Sequence, residues 1–200
     1  MSFTQNAFTI FNQSIEDYHI KNDINNAITN PFELGSIDNI LYKKNWIDTV
    51  QWHLEDEIRR PEIADKEGML LKRRIDKSNQ DRTDLVEDLD TWFLKKYEDV
   101  IVEENATYNT ESPAWAFDRL SILALKIYHM HIESKDVSKS EEHRSNCEQK
   151  LNILLTQKVD LIAAIEMLLD NISQGKMYMK VYKQMKMYND PSMNPALQKK

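Results

Sequence analysis

Apolar residues recur every three or four positions along most of the chain, which is the spacing of one face of an α-helix. The first such segment runs from near Ser2 to Asn26 and carries Phe8, Phe11 and Ile15 on one side. Further segments of the same kind follow, separated by polar or proline-containing connections. The predicted helices span residues 2–26, 36–60, 65–100, 112–133, 141–173 and, in a stretch rich in methionine, tyrosine and lysine, 176–189.

The segment from 112 to 133 differs from the others because it is apolar almost all the way round. Ser112 and Pro113 are a cap residue and a proline suited to the first helical position, so they mark its start. A helix that is hydrophobic on every side is buried, and we expect this one at the centre of the fold. Only 3 glycines and 5 prolines leave few turn residues for a sheet. The pattern predicts an all-α bundle of five to six helices, one domain over residues 1–190, with a disordered tail at 191–200.

Composition narrows the classes of partner. A formal net charge of −7 argues against nucleic acid or an anionic membrane surface, since both attract basic proteins. One cysteine, Cys147, excludes an internal disulfide and suits a reducing compartment. No apolar run approaches the roughly 20 residues that span a bilayer, and the first residues lack the features of a signal peptide. We therefore expect a cytoplasmic protein.

Polar residues interrupt the core-facing stripe of the third predicted helix. Between Ile75 and Leu85 the stripe carries no apolar side chain at the expected positions. A buried arginine needs a partner, because an unpaired charge inside a protein costs several kcal/mol. The middle of this helix is therefore expected to face other polar groups. The residues on this side are Arg74, Ser78, Asp81 and Arg82.

The second and fourth predicted helices supply candidate partners. Asp118 and Arg119 open the otherwise apolar fourth helix. His53, Glu57 and Arg60 form a polar shoulder on the second helix at spacings of three and four, which makes them neighbours on its surface. We expect the polar groups of these helices to meet in space. The core stripe of the second helix is predicted as Ile40, Ile47, Val50, Leu54 and Ile58.

Two interpretations of this polar cluster stay open. Helical bundles often contain an internal ion-pair layer that has no chemistry, and the protein would then be an interaction module or a homodimer. Alternatively, the cluster binds or acts on an anionic, phosphorylated small molecule, because arginine offers a planar fork suited to phosphate. The sequence identifies neither a reaction nor a cofactor. The predicted ligand-binding residues are Arg74, Ser78, Asp81, Arg82 and Arg119.

Proton transfer would fall to His53, whose ordinary pKa lies near neutrality, with Glu57 or Asp118 orienting the ring. A metal ion is a further alternative, since His53 and Glu57 are spaced i,i+4, as are His129 and Glu133. Each pair supplies only two ligands, fewer than the three or four of a tight site. We therefore expect an anion in preference to a metal.

Four stretches of the chain together resemble a bacterial family, domain-of-unknown-function family 4254, over roughly residues 8–169. The resemblance implies an uncharacterised, helical, cytoplasmic protein, and it assigns no activity, cofactor or catalytic residue. The stretches are His53-Leu54-Glu55-Asp56, Leu71-Lys72-Arg73-Arg74-Ile75-Asp76-Lys77-Ser78-Asn79-Gln80-Asp81-Arg82, Asn109-Thr110-Glu111-Ser112-Pro113 and Asp118-Arg119-Leu120-Ser121-Ile122-Leu123.

Overall fold

A computed structural model describes residues 1–183 and 191–198. Helices account for 69% of the described residues, and five long ones pack into a bundle, which confirms the all-α prediction. The long helices are α1 (Phe3–Lys21), α2 (Ile37–Glu57), α3 (Asp65–Lys96), α4 (Pro113–Lys135) and α5 (Glu141–Ser173). A single-turn helix, α6 (Pro195–Gln198), and two short strands, β1 (Thr107–Tyr108) and β2 (Met177–Tyr178), complete the described elements.

Local capping chemistry places most helix starts. The side chains of Ser2, Ser36 and Ser140 accept hydrogen bonds from backbone amides of α1, α2 and α5, and Gln5 completes a capping box with Ser2. Such caps satisfy donors that the first helical turn leaves free. Helix ends agree less well: α1 stops at a left-handed Asn22, before the predicted Asn26. The helices α2 and α3 also end three or four residues earlier than predicted.

The helix α4 lies at the centre of the bundle and packs against α1, α2, α3 and α5. Phe117, Leu120 and Leu125 are completely buried. This confirms the prediction of a central buried helix, and it means that every ionisable side chain on α4 that faces inward must find its partner on a neighbouring helix.

Residues 176–178 form no helix, which makes the start of the predicted helix 176–189 wrong. The strand β2 pairs in parallel with β1, and residues 184–189 of that prediction lie outside the described residues. Gly175 adopts φ +72°, and a Cβ there would lie 2.2 Å from the Ile101 carbonyl oxygen. The chain turns at this glycine, and its carbonyl accepts from the Glu103 amide at 2.9 Å. The loop after α3 is thereby held against the end of α5.

The described residues bear on the expectation that the chain does not cross a membrane. In that part of the chain, no helix combines the length and the apolar composition needed to cross a membrane. The cytoplasmic location stays a prediction, as do the single domain and the disordered tail, although α6 lies within that tail.

Candidate functional site

Four charged side chains from three helices form one contiguous group, which we call the ion network: Lys44 and Asp48 of α2, Arg82 of α3 and Asp118 of α4. The Arg82 guanidinium donates two hydrogen bonds to the Asp118 carboxylate, and the Nε–Oδ1 distance is 2.9 Å. Lys44 Nζ pairs with Asp48 and lies 2.9 Å from Asp118 Oδ1. Arg82 Nε also lies 3.3 Å from Asp48 Oδ1. The polar groups of the three helices therefore meet, as predicted, but the members from α2 are Lys44 and Asp48 and not the predicted His53, Glu57 and Arg60.

The ion network is buried and electrically balanced, with two cations and two carboxylates. The side chains of Lys44 and Asp48 have no solvent exposure, whereas that of Arg82 is 28% exposed. The Ser121 hydroxyl donates to Asp48 Oδ2 at 2.6 Å, and Asn45 Nδ2 donates to the Ser121 hydroxyl at 3.0 Å. Hydroxyl and amide groups around the ions thus supply hydrogen bonds that replace water.

Electrostatics differ between the two carboxylates of the ion network. Burial alone would raise the pKa of Asp118, but Lys44 and Arg82 together lower that pKa below its ordinary value. Complete burial raises the pKa of Asp48 despite the same two cations and the Ser121 hydroxyl. Asp118 is therefore the more firmly ionised carboxylate, and it is the one that faces a cavity.

Sequence reasoning missed Lys44 and Asp48 because it assigned the wrong core face to α2. The residues predicted for that face, apart from Leu54, are only partly buried, whereas Lys44, Asn45 and Asp48 are buried. A signal was present in the spacing. Asn45 and Asp48 lie four and seven residues after Leu41, so they share its face of the helix.

A cavity of about 600 Å³ opens beside the ion network, in the groove between α4 and α5. We call it the α4–α5 cavity. Its charged lining comprises Arg82, Asp118, Arg119, Lys126 and Asp160. Apolar walls are supplied by Ile122, Leu123, Leu161 and Ala164. The cavity thus combines an apolar wall with three cationic groups and two carboxylates.

Only some of the predicted ligand-binding residues reach this cavity. Arg82 and Arg119 line it, but Arg74 donates to the Ile24 carbonyl oxygen at 2.9 Å, beyond the end of α1. The other two predicted residues face different neighbours. The Ser78 hydroxyl donates to Gln51 Oε1 at 3.1 Å, and Asp81 forms a surface ion pair with Lys77 at 2.6 Å.

The three predicted catalytic residues separate into different surroundings. Asp118 belongs to the ion network, while Glu57 lies 3.3 Å from Arg60 Nε. The carboxylate that faces His53 is Asp56, with 3.9 Å between Asp56 Oδ2 and His53 Nδ1. The proton-transfer role of His53 stays a prediction, and at 3.9 Å the carboxylate of Asp56 is too far from its ring for a hydrogen bond.

Three histidines from three helices form a second polar group, which we call the histidine cluster: His19 of α1, His53 of α2 and His129 of α4. One ring nitrogen from each lies within 4.8 Å of the other two. His53 Nε2 and His19 Nε2 are 3.1 Å apart. The ring centroids form a nearly equilateral triangle with sides of 5.2, 5.4 and 5.4 Å. Sequence reasoning considered His53 and His129 but not His19. The three histidines lie on different helices, and no spacing within one helix indicates that they meet.

Aromatic rings enclose the histidine cluster. Trp52 stacks on His129 with centroids 4.8 Å apart, and Tyr18 stacks on His53 at 5.1 Å. Burial lowers the pKa of all three histidines, and that of His129 falls to about 4, with the neighbouring imidazoles contributing. At neutral pH the cluster is therefore uncharged, in contrast to the ion network.

A second cavity, of about 520 Å³, lies against His129 and is also lined by Trp52, Lys126, Glu133 and Leu154. We call it the His129 cavity. Lys126 borders both cavities, so the two lie next to each other along α4. Asp118 and His129 are eleven residues apart on that helix, roughly 16 Å of helical rise.

Comparison with known proteins assigns the chain to a family. No curated protein and no solved structure shows a significant match to it. A sequence profile of the family described as "Protein of unknown function (DUF4254)" matches residues 38–181. This range contains the whole ion network together with His53 and His129, whereas His19 precedes it. The profile covers well over half of the 200 residues, and the chain belongs to the DUF4254 family.

Proposed function

We propose that the protein binds an anionic, phosphorylated small molecule in the α4–α5 cavity. The observation that carries the proposal is the convergence of Arg82, Arg119 and Lys126 on one cavity that also has an apolar wall and two carboxylates, those of Asp118 and Asp160. A volume of about 600 Å³ lies within the usual range for small-molecule sites, which combine apolar walls with a few placed polar groups. Guanidinium groups in particular bind phosphate through paired hydrogen bonds.

The three cations differ in how firmly they are already engaged. Asp118 holds the Arg82 guanidinium in place. Arg82 therefore contributes a fixed positive charge to the cavity lining. Arg119 is paired at 2.9 Å with Glu111 on the surface, where its side chain is 64% exposed. Such exposed pairs contribute little free energy and can exchange for a ligand. Lys126 forms no salt bridge with any described residue.

Charge in the cavity lining favours an anion. Lys44 and Arg82 both offset the charge of Asp118, so Asp160 is the remaining carboxylate in a lining that also contains Arg119 and Lys126. An anionic group would therefore bind near Arg119 and Lys126, and the uncharged part of the ligand would lie against Ile122 and Leu161.

A thermal-shift screen of phosphate, sulfate, nucleotides and sugar phosphates tests the proposal. A ligand present at one hundred times its Kd stabilises the fold by about 2.7 kcal/mol, which raises the Tm of a domain of this size by about 5–11 °C. Arg119→Ala and Lys126→Ala should weaken the response without affecting the fold, because both side chains are exposed. Arg73→Ala, an exposed arginine on α3, is the matched control and should keep it. A wild-type Tm unchanged by every anion would overturn the proposal.

The alternative function is an interaction module or homodimer in which the ion network is only structural. One observation favours it: α5 exposes four large apolar side chains, those of Ile153, Leu155, Val159 and Met167. Light scattering across a concentration series distinguishes the two. A dimer that dissociates on Val159→Lys, in a protein whose Tm no anion changes, would establish the alternative.

A further inference from the structure

The histidine cluster has the arrangement of a three-coordinate ligand set. Its members come from α1, α2 and α4, and the interplanar angles between the three pairs of rings are 67°, 68° and 73°. Together with the nearly equal centroid distances, these angles give an approximately threefold propeller. We propose that His19, His53 and His129 bind one divalent transition-metal ion, with zinc as the ion best suited to them.

The distances suit such an ion. Zinc–nitrogen bonds measure about 2.0–2.1 Å, so two nitrogens bound to one tetrahedral ion lie roughly 3.3–3.4 Å apart. His19 Nε2 and His53 Nε2 are separated by 3.1 Å, and the nitrogen of His129 lies within 4.8 Å of both. Zinc, nickel and copper bind imidazole nitrogen more readily than the hard cations magnesium and calcium do.

A hydrogen bond outside the cluster orients the His19 ring for this role. His19 Nδ1 lies 2.7 Å from the Ile15 carbonyl oxygen, and because a carbonyl only accepts, Nδ1 carries the proton and Nε2 is left with its lone pair. Asp56 Oδ2 lies 3.9 Å from His53 Nδ1, beyond hydrogen-bond distance, and its negative charge favours a proton on that nitrogen. Metal-binding histidines ordinarily have such partners, a carbonyl or a carboxylate on the other ring nitrogen. His53 Nε2 is thereby free to exchange its contact with His19 for a bond to the ion.

His129 supplies the independent observation that points to a ligand. Its Nε2 is buried and has no hydrogen-bond partner among the described residues. A buried polar atom left unpaired costs about 1–3 kcal/mol, and packing alone would be satisfied by an apolar ring against Trp52. Coordination to a metal would satisfy this nitrogen.

Three protein ligands leave a fourth position open on a tetrahedral ion, as in catalytic zinc sites. The His129 cavity provides the space beside the cluster, and its walls include Glu133. This site is separate from the α4–α5 cavity and can be tested without any anion.

The experiment is a titration of the chelator-treated, dialysed full-length chain with Zn²⁺, followed by calorimetry, and with Co²⁺, followed by visible absorption. We expect one equivalent to bind, with the cobalt spectrum of a site containing nitrogen ligands, and Mg²⁺ to leave the protein unchanged because it prefers oxygen. His19→Gln, His53→Gln and His129→Gln should each weaken zinc binding by about 100-fold or more, since even loss of an outer partner costs 10–100-fold.

His131→Gln is the matched control, because it lies two residues beyond His129 on the same helix and is exposed. It should bind zinc like the wild type. Circular dichroism establishes which variants remain folded, and the wild-type titration decides the question even where a variant unfolds. No stoichiometric binding to folded wild type, or binding that survives in every folded cluster variant, overturns the proposal. Loss of binding in His131→Gln would do the same, since it would place the ion on the surface.

Discussion

The ion network and the histidine cluster are both built from polar side chains that the bundle withdraws from solvent, but they are satisfied in opposite ways. In the ion network, each charge has an oppositely charged neighbour, and Ser121 provides a further hydrogen bond. In the histidine cluster, three uncharged rings face one another, and His129 Nε2 lacks a hydrogen-bond partner in the part of the chain that the structure describes. In the first group each charge has its counter-ion within the protein, although Asp48 Oδ1 has no hydrogen-bond partner among the described residues. The second group is the one that we propose binds an ion.

This difference separates what stabilises the fold from what is available for function. The paired charges of the ion network, once buried, cannot be separated without leaving an uncompensated charge inside the protein. Arg82 is accordingly a fixed part of the α4–α5 cavity, and the exchangeable charges there belong to Arg119 and Lys126. The histidine cluster carries no net charge to balance, so binding a cation does not require an ion pair to break first.

The largest expected effect comes from breaking the ion network. Lys44→Met leaves Asp48 and Asp118 with one cation fewer in a buried site, and the loss of unfolding free energy should be about 3–5 kcal/mol. Lys72→Met is the matched control: Lys72 and Asp76 form a pair of the same residue types and spacing, more than half exposed, and its loss should cost less than about 1 kcal/mol. Urea denaturation measures the loss of unfolding free energy in both variants. Equal losses would contradict the expectation that the buried ion network stabilises the fold more than an exposed ion pair does.

An intermediate effect is expected from pH. The folded pKa of His129, about 4, lies below the ordinary value of 6.5, so the unfolded state binds more protons between these limits. The charged groups and rings around it are His19 of α1, His53 of α2 and Glu133 of α4. Stability from this group is complete above pH 6.5 and is lost as the pH falls towards 4, by about 1–3 kcal/mol.

The comparison that isolates this loss is wild type against His129→Phe, both with chelator present, denatured by urea at pH 7, 5.5 and 4.5. As the pH falls, the unfolding free energy of wild type should decrease relative to that of His129→Phe. Asp118, whose pKa is lowered, stays ionised throughout this range. A gap independent of pH would contradict the buried, neutral state of His129.

The smallest expected effect is that of His129→Phe itself at neutral pH without metal. Phenylalanine keeps the stacking on Trp52 and removes an unpaired buried nitrogen, so the unfolding free energy should change by less than about 1 kcal/mol. Zn²⁺ should raise the Tm of wild type and leave that of the variant unchanged. A loss of unfolding free energy as large as that expected for Lys44→Met would show that His129 stabilises the fold, as the ion network does.

Prediction from the sequence succeeded where the signal is local. The bounds of α5 are those predicted, because Ser140 caps its start and Gly175 turns the chain beyond its end. The central position of α4 followed from its apolar circumference. Failures occurred where residues outside an element decide its structure: the chain after Gly175 pairs with the loop following α3, so a helical pattern of methionine and tyrosine does not begin as a helix there.

The candidate site was predictable only in part for the same reason. The cost of burying an arginine correctly indicated that Arg82 would meet an acid such as Asp118. Lys44 and Asp48 were missed because polar residues on α2 were assigned to its exposed side. Arg74 was misplaced because a carbonyl oxygen at Ile24 satisfies it, and no spacing within a helix reveals a backbone partner fifty residues away.

The sequence by itself determined where the five long helices begin, which helix is central, and that buried charges require partners. These properties depend on spacing within one turn or two of a helix. Only the tertiary structure decided that His19, His53 and His129 face one another, and that Arg82, Arg119 and Lys126 share a cavity. Of these, the side chains on different helices are 34 to 110 positions apart in the chain. They meet because helix packing sets the relative rotation and height of the helices, and neither quantity is encoded in the periodicity of any single helix.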